Sequence, residues 1–398
     1  MNNVFDNLKK QIYELRIFSV LNDDDGFITE IANRFSECEK IVVIGTGGSS
    51  LGGKCLVNIA SALRRENPRV MFLENIDVIT FMNSLSRLNP DRTGFIVISK
   101  SGHTTETLML FLTLIELWPN FDYRRRAISI TELSENNDLR ILSESLKMEI
   151  VEHDREIGGR FSVFSVVGLL PALLEGWNIN EFKRGATEVI RSIIEIDSPE
   201  SCSLMCEIRD MFNVFADGRV DQHVLMMYSD LLEDYGKWFA QLVGESLGKR
   251  GDFGITPVRA VGTVDQHSQL QLYLAGPANK MFTVIGVKET PIGAPRISGE
   301  TGMMNDIPPT IAKLVGHEIH ELMRSHMRAT VEALREIGFV RVTELDRLDE
   351  RSMGGLMMTN ILEILGLAVL AKVNPFDQPA VERAKSRAIR LLSKLPES

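Results

Sequence analysis

The chain is poor in the residues that build disulfide-rich or nucleic-acid-binding proteins. It has four cysteines in 398 residues, and their positions match neither a CxxC motif nor the spacing of a disulfide framework. Its 44 lysines and arginines are outnumbered by 54 aspartates and glutamates, and no long basic run offsets the net charge of −10. We therefore expect packed thiols rather than disulfides, and no nucleic-acid partner.

Long uninterrupted apolar runs are also missing. The longest, 108–118 and 361–370, contain polar residues and are too short to span a bilayer. The N-terminal segment carries charged residues where a signal peptide needs an apolar stretch. With 44% hydrophobic and 25% charged residues, the composition is that of an ordinary globular protein. We expect a cytoplasmic protein of two to three domains with no membrane partner.

The first half of the chain alternates between short apolar runs and helical patterns. The run 41–44 is β-branched and apolar on both faces, as in a central strand of a parallel sheet. Alternation with short loops predicts a parallel sheet with helices on both sides. The predicted elements are helices within 1–40, strands 41–44, 70–73, 95–99 and 127–131, and helices 51–65, 77–88, 106–117 and 136–146.

A second unit is predicted from about residue 200. Its elements are strand 223–228, helix 231–247, strand 281–287, a Pro- and Gly-rich loop 290–309, a long helical stretch 310–337 and strand 339–343. The segment 353–395 predicts two helices broken at Asn374-Pro375. The predicted organisation is N-terminal helices 1–40, units 41–176 and 200–345, and a C-terminal helical arm 346–398.

Two loops rich in glycine and hydroxyl groups follow predicted strands. The first, GTGGSSLG from Gly45, lets backbone N–H groups approach an anion at a helix N-terminus. It fits a dinucleotide, a single phosphoester or a ligand-free turn, and Glu74 at the end of the next strand keeps the dinucleotide open. The second, SKSGHTTET from Ser99, has five hydroxyls in nine positions, which a single helix cap does not explain. Both loops together favour a phosphorylated small molecule.

Other segments carry side chains suited to chemistry, although each alone has an ordinary surface interpretation. Arg160 follows two glycines, and Gln241 and Glu245 share a helix face at i, i+4 spacing. His267 lies in a polar loop. The sequence HEIH from His317 is one residue short of the zinc-binding HExxH motif, so we expect no metal site there.

Six segments, in this order, make the chain similar to the glucose-6-phosphate isomerase (phosphoglucose isomerase) family. They are GTGGSSLGG, ISKSGHTTET, GGRFSVFSVVGLLPALLEG, QLVGESLGK, GTVDQHSQLQLYLAGP and NPFDQPAVERAK, and the resemblance covers residues 41 to 390. It implies an α/β fold of two sugar-isomerase (SIS) type αβα sandwich domains with parallel sheets, plus a C-terminal helical arm. It also implies a homodimer that interconverts glucose 6-phosphate and fructose 6-phosphate through a cis-enediol, in glycolysis and gluconeogenesis, without cofactor or metal.

The same resemblance implies a role for each matching residue. Glu245 matches the catalytic base and Arg160 the arginine that stabilises the enediolate. His267 matches a ring-opening histidine that the family supplies from the other subunit, and Lys385 matches a ring-opening acid/base. The implied substrate-binding residues are Gly48, Ser49, Ser99, Lys100, Ser101, Thr104, Gln241 and Gln378.

The sequence departs from the family pattern at His103, where a threonine is common, and at Ser50, where many members have aspartate. Three other functions remain open at this point. They are a bifunctional phosphoglucose/phosphomannose isomerase, a non-catalytic SIS-domain sensor of sugar phosphates, and a nicotinamide-dependent dehydrogenase. A sensor has no need of Glu245, His267 and Lys385 together, so their joint presence favours an enzyme.

We expect the isomerase activity that the resemblance implies to survive prolonged EDTA treatment. The reason is that no His, Asp or Glu residues show metal-ligand spacing, while Glu245 and Arg160 supply the base and the positive charge that a metal would otherwise provide. The measurement is activity before and after dialysis against EDTA. A loss of activity that added Zn²⁺ or Mn²⁺ restores would contradict this expectation.

Overall fold

The computed structural model describes residues 1–298 and 308–394. Within these ranges the chain forms two parallel β-sheets covered by helices, which confirms the predicted fold class. The strands are β1 Lys40–Ile44, β2 Val70–Leu73, β3 Thr93–Ile98, β4 Ala127–Thr131, β5 Glu149–Glu152, β6 Gln222–Met227, β7 Thr256–Val261, β8 Lys280–Glu289 and β9 Val340–Arg347. The helices are α1 Asn2–Glu14, α2 Arg16–Ser19, α3 Gly26–Asn33, α4 Leu51–Arg64, α5 Val78–Leu85, α6 Thr105–Leu117, α7 Tyr123–Arg126, α8 Asp138–Ser145, α9 Val166–Leu174, α10 Ile179–Ile194, α11 Ser203–Ala216, α12 Glu233–Leu247, α13 Val264–Ser268, α14 Leu270–Ala275, α15 Pro309–Ala312, α16 Ile319–Arg335, α17 Glu350–Ala371 and α18 Pro379–Leu392.

The first sheet has the order β2-β1-β3-β4-β5, and every neighbouring pair is parallel. The central strands β1 and β3 are buried on both faces, as their continuous apolar sequences predict. The strand order reverses between β1 and β3, whose register pairs Ile44 with Val97. In such a sheet the loops that follow these two strands open onto one crevice. The glycine-rich loop and the hydroxyl-rich loop therefore face the same space.

The second sheet has the order β7-β6-β8-β9 and is also parallel throughout. Two strands of the protein, β5 and β7, are absent from the sequence prediction. Both lie at sheet edges, where one side of the strand remains polar or exposed. Pro257 within β7 lacks a backbone N–H and is tolerated only at such an edge.

The long helix predicted over 310–337 is interrupted. Gly316 adopts a left-handed conformation with φ of 87°, which separates α15 from α16. Helix α16 then starts with a capping box, in which Glu318 and Glu321 each accept from the other's backbone N–H. Of the predicted loop 290–309, residues 299–307 lie outside the described ranges.

Helix α17 is the central helix of the protein. It packs against α1, α10, α11 and α12, and it includes the apolar run 361–370. With 22 residues and a mean hydropathy of 1.7 over its most apolar window, it is long enough to cross a membrane, but 78% of that window is buried inside the protein. The predicted arm 346–398 therefore contains two different helices, because α17 is a core helix whereas α18 buries none of its residues.

Glycines let α10 and α17 cross with their backbones in contact. A Cβ atom on Gly354 would lie 1.9 Å from the carbonyl oxygen of Phe182, and one on Gly185 would lie 1.9 Å from that of Arg351. Backbone atoms at a helix crossing cannot rotate out of the way as a side chain can. The crossing therefore depends on these two glycines.

We predict that Gly354→Ala lowers the free energy of unfolding by about 1–3 kcal/mol, because overpacking forces the two helices apart. Gly355→Ala is the matched control, since the nearest atom to its Cβ would be 3.6 Å away, an ordinary contact. The control is expected to be neutral or to stabilise by up to about 1 kcal/mol through helix propensity. Urea unfolding measures both variants. Equal effects of the two substitutions would show that the close crossing does not matter.

Candidate active site

Three chain segments meet at the loop that follows β1. Gly47 has φ of 60°, and a Cβ there would lie 3.1 Å from Nε2 of Gln241 on α12. A Cβ on Gly48 would lie 2.2 Å from the carbonyl carbon of Gly159, so these two loops touch through their backbones. The hydroxyl of Ser162 donates to the carbonyl oxygens of Gly48 at 3.1 Å and Gly159 at 2.7 Å. The loop after β1, the turn at 159–164 and α12 are thereby held together.

A buried guanidinium and a partly exposed carboxylate form an ion pair at this junction. Arg160 is only 3% exposed, and its Nη1 lies 2.6 Å from Oε2 of Glu245, whose side chain is 35% exposed. The second carboxylate oxygen, Oε1, accepts a hydrogen bond from Nε2 of Gln241 at 3.2 Å. A buried charge needs such a partner. The pair thus presents a fixed carboxylate on the open side and a fixed positive charge behind it.

Arg160 also anchors the loop between α17 and α18. Its Nη2 donates to the carbonyl oxygens of Pro375 and Asp377, each at 2.9 Å, and both terminal nitrogens contact Oε1 of Gln378 at 3.2–3.3 Å. Lys249, just beyond α12, lies 2.9 Å from the Asp377 carboxylate. This hydrogen bond and charge hold the pKa of Asp377 below its usual value. The structure therefore brings Gln378, a predicted substrate contact, to the Arg160–Glu245 pair.

The buried side-chain amide of Asn137 fixes the conformation of the hydroxyl-rich loop that begins at Ser99. Gly102 has φ of 73°, and a Cβ there would lie 1.8 Å from Oδ1 of Asn137. The amide of Asn137 donates to Oγ1 of Thr131 at 2.7 Å. Within the loop, the Ser99 hydroxyl donates to Oγ1 of Thr104 at 2.9 Å. Two of the predicted phosphate-binding hydroxyls therefore lie side by side.

Other side chains of this loop contact neighbouring segments. The Lys100 ammonium donates to the carbonyl oxygen of Arg155 at 2.7 Å and lies 3.7 Å from Glu132, so part of its charge is already compensated. Ser101 is exposed. The ring of His103 lies 2.7 Å from the Asp138 carboxylate at the start of α8.

Two of the predicted catalytic residues, His267 and Lys385, do not contact the Arg160–Glu245 pair within one protomer. The His267 ring is exposed on α13, and none of the described residues forms a hydrogen bond or ion pair with it. Lys385 lies on the exposed helix α18, and its ammonium contacts Glu382 on the same helix at 2.9 Å. Within residues 1–298 and 308–394, neither side chain is bonded to Arg160 or Glu245. Their roles remain predictions.

Some residues that shape the site are absent from the sequence prediction. Asn137 and Ser162 are buried, and both support loops by bonding to hydroxyl or carbonyl oxygens rather than by facing the crevice. Asn137 precedes α8 and caps it, so its sequence signal is that of any helix start. Asp377 stands in one of the family segments, but nothing in the sequence indicates that it pairs with Lys249. The type of a residue does not indicate which main-chain atoms its side chain contacts.

The structure also bears on the alternatives left open above. The Glu74 carboxylate, which the sequence offers as a ribose contact, pairs with the Lys54 ammonium through Oε2. His317 pairs with Glu321 at 2.9 Å, and His320 bonds to the carbonyl oxygen of Lys288 at 2.9 Å. Among the described residues, no group of three or more His, Cys, Asp or Glu side chains is placed to hold a metal ion.

Comparison with known proteins places the chain in a family. The family model described as phosphoglucose isomerase matches residues 29–398. Glucose-6-phosphate isomerase of Rubrobacter xylanophilus is 35% identical over 355 residues, covering 86% of this chain and 80% of the relative. A probable glucose-6-phosphate isomerase of Methanococcus maripaludis is 32% identical over 390 residues, covering 96% and 84%.

A solved structure agrees over almost the whole length. The crystal structure of a hypothetical protein from Thermus thermophilus is 28% identical and covers 98% of this chain and 94% of that chain, with a TM-score of 0.86. Because the family match spans nearly all residues and relatives above 30% identity cover most of the chain, the chain belongs to the phosphoglucose isomerase family.

Proposed function

We propose that this protein is an aldose-ketose isomerase that interconverts glucose 6-phosphate and fructose 6-phosphate, in the cytoplasm, in glycolysis and gluconeogenesis. The observation that carries the proposal is the ion pair between buried Arg160 and partly exposed Glu245, beside the crevice of the first sheet. The names of the relatives support the same activity. No cofactor takes part in this proposal.

Glu245 is the base in this proposal. It removes a proton from one of the two carbons C1 and C2 and returns it to the other, which a single carboxylate can do when the enediol is cis, because both carbons then present one face. Arg160 and Gln241 each hold one carboxylate oxygen and so orient the group. The intermediate carries negative charge on oxygen, and the fixed, positively charged guanidinium of Arg160 stabilises that charge.

The phosphate group of the substrate is held by the hydroxyl-rich loop. Ser99, Ser101 and Thr104 supply hydroxyls, and α6 begins directly afterwards at Thr105, so its N-terminus adds favourable dipole charge. Gly48 and Ser49 line the opposite loop of the crevice, and Gln378 and Lys100 complete the substrate contacts. Phosphate binding energy orients the C1–C2 end of the sugar toward Glu245.

Ring opening must precede isomerisation, because hexose phosphates are mostly cyclic. In this step the anomeric hydroxyl loses a proton, the ring C–O bond breaks, and the ring oxygen gains a proton. We assign the exchange of these protons to His267 and Lys385, whose side chains suit it. The resemblance to the family supports a homodimer with shared active sites, in which a second copy of the chain supplies His267. The position of His267 in one protomer fits this arrangement, since its ring bonds to neither Arg160 nor Glu245 among the described residues.

We predict that Glu245→Gln slows isomerisation by about 10²–10⁴-fold, because the amide cannot accept the substrate proton. The new amide still fits, since Oε1 of Gln241 has no partner among the described residues and can accept from it after an amide flip. Fructose 6-phosphate affinity is expected to change little, because the phosphate loop is untouched. NMR in deuterated buffer measures exchange of the C1 proton and ligand binding together.

Glu233→Gln is the matched control on the same helix. Glu233 is exposed and pairs with Lys237 at 3.2 Å, away from the Arg160 pair. Its activity is expected to stay within about twofold of wild type. If Glu245→Gln were folded and still exchanged the C1 proton at a near wild-type rate, Glu245 would be an ordinary surface carboxylate and the proposed base would be wrong.

We predict that two inactive variants restore activity when their subunits exchange. Inactive His267→Ala is mixed with inactive Glu245→Gln under conditions that allow subunit exchange. Shared sites predict that heterodimers contain one site with both groups intact, so activity returns to as much as about a quarter of wild type if subunits mix at random. An absence of recovery despite verified exchange would show that each chain builds its site alone.

A further inference from the structure

The position of His267 is determined by its neighbours in the chain. The imidazole is exposed, and none of the described residues holds it by a hydrogen bond. It lies on α13, a helix of only five residues, Val264–Ser268. An isolated helix of this length is not stable in water. Whatever fixes α13 therefore also fixes where the imidazole can reach.

Both oxygens of the Asp265 carboxylate are used to fix this helix. Oδ2 accepts the backbone N–H of Val261, the last residue of β7, at 2.7 Å, and Oδ1 accepts the Ser268 hydroxyl at 2.7 Å. Partial burial works to raise the pKa of Asp265, but the hydrogen bonds from Val261, Ser268 and Gln269 outweigh it and leave the pKa below its usual value. The carboxylate thus links the end of the strand to the end of the helix.

A second contact also holds α13 in place. The side-chain amide of Gln266 donates to the hydroxyl of Thr330, which is 2% exposed on α16. In the chain, Asp265 and Gln266 are the two residues before His267, and Ser268 is the residue after it. The exposed histidine therefore lies on a helix that is tied to β7 through Asp265 and to α16 through Gln266.

We infer that Asp265 is a positioning residue for His267 in ring opening. This inference rests on the proposed function. Asp265 touches no substrate, and it acts by holding the backbone of α13 at the end of β7 so that the imidazole meets the ring oxygen and the anomeric hydroxyl. A displacement of about 1 Å can cost on the order of 100-fold in a step that depends on alignment.

Two substitutions of Asp265 distinguish a role of its hydrogen bonds in positioning α13 from a role of its negative charge. Asp265→Ala removes both acceptors and frees α13 from β7. Asp265→Asn keeps one carbonyl oxygen for the Val261 N–H, and its amide N–H₂ can donate to the Ser268 hydroxyl, which is able to accept as well as donate. If position is what matters, asparagine restores function that alanine loses, although the negative charge is gone.

The experiment measures two properties of the full-length protein. The first is the catalysed interconversion of the α and β anomers of fructose 6-phosphate, followed by exchange NMR above the spontaneous rate, which reports ring opening. The second is calorimetric binding of an acyclic five-carbon aldonate 5-phosphate, whose carboxylate imitates the charged enediolate and whose binding needs no ring opening. A general disturbance of the site lowers both, whereas loss of His267 alignment lowers only the first.

We expect Asp265→Ala to slow anomer interconversion about 10- to 100-fold. Affinity for the aldonate phosphate is expected to stay within about twofold, and Asp265→Asn to recover the rate to within about threefold of wild type. Asp217→Ala is the matched control. The Asp217 carboxylate likewise accepts a backbone N–H, from Arg219 at 3.0 Å, but it lies in an exposed turn before β6 rather than next to α13. The control is expected to leave both properties unchanged.

Several results would overturn the inference. They are an unchanged anomer rate in Asp265→Ala, an equal loss of aldonate affinity, an asparagine variant no better than alanine, or a His267→Ala variant with normal ring opening. If Asp265→Ala does not fold, Ser268→Ala removes one of the two bonds and is expected to slow ring opening a few-fold, and an unchanged rate there would count equally against it. A wild type that opens rings without forming glucose 6-phosphate would refute the proposed function alone.

Discussion

The arrangement of the candidate site depends on where one guanidinium is buried. A charge that leaves water needs bonded partners on its polar atoms, otherwise its desolvation penalty is not offset. The two terminal nitrogens of Arg160 find these partners on α12 and on the loop 374–378, through Glu245, two carbonyl oxygens and Gln378. The requirement to satisfy Arg160 therefore brings together segments more than 200 residues apart in sequence. The same bonds leave the carboxylate of Glu245 partly open to a substrate.

Close backbone contacts make this geometry possible at two levels. In the site, Gly48 and Gly159 let two loops touch, which places Arg160 directly beside the loop after β1. In the core, Gly185 and Gly354 let α10 and α17 cross without intervening side chains. Helix α17 also packs on α12, so the helix that carries Glu245 rests on the central helix of the protein. Rigid support of this kind is what a base needs to stay aligned with a small substrate.

The sequence predicts best the strands that are buried in apolar surroundings on both faces. The strands β1 and β3 are buried on both faces, so their sequences are continuously apolar and easily recognised. Strands β5 and β7 have mixed sequences that contain charged residues or proline, so the apolar pattern does not predict them, whereas the edge strand β2 is apolar throughout and is predicted. The break at Gly316 is not predicted either, because one glycine does not interrupt an otherwise helical pattern. In the site, helical spacing predicts that Gln241 and Glu245 share a helix face, and the family resemblance singles them out as site residues. Asn137 and Ser162 are not predicted, because they bond to other parts of the protein, as many polar residues do.

The central claim is that Glu245, held by Arg160, carries a proton between C1 and C2. The most direct measurement incubates the purified protein with fructose 6-phosphate in deuterated water and determines the deuterium content at C2 of the glucose 6-phosphate formed. Because the Glu245 side chain is 35% exposed, a proton held on it exchanges with solvent, and we predict substantial deuterium at C2. Glucose 6-phosphate formed without any deuterium would contradict the account, in which the proton passes through a carboxylate that is open to solvent.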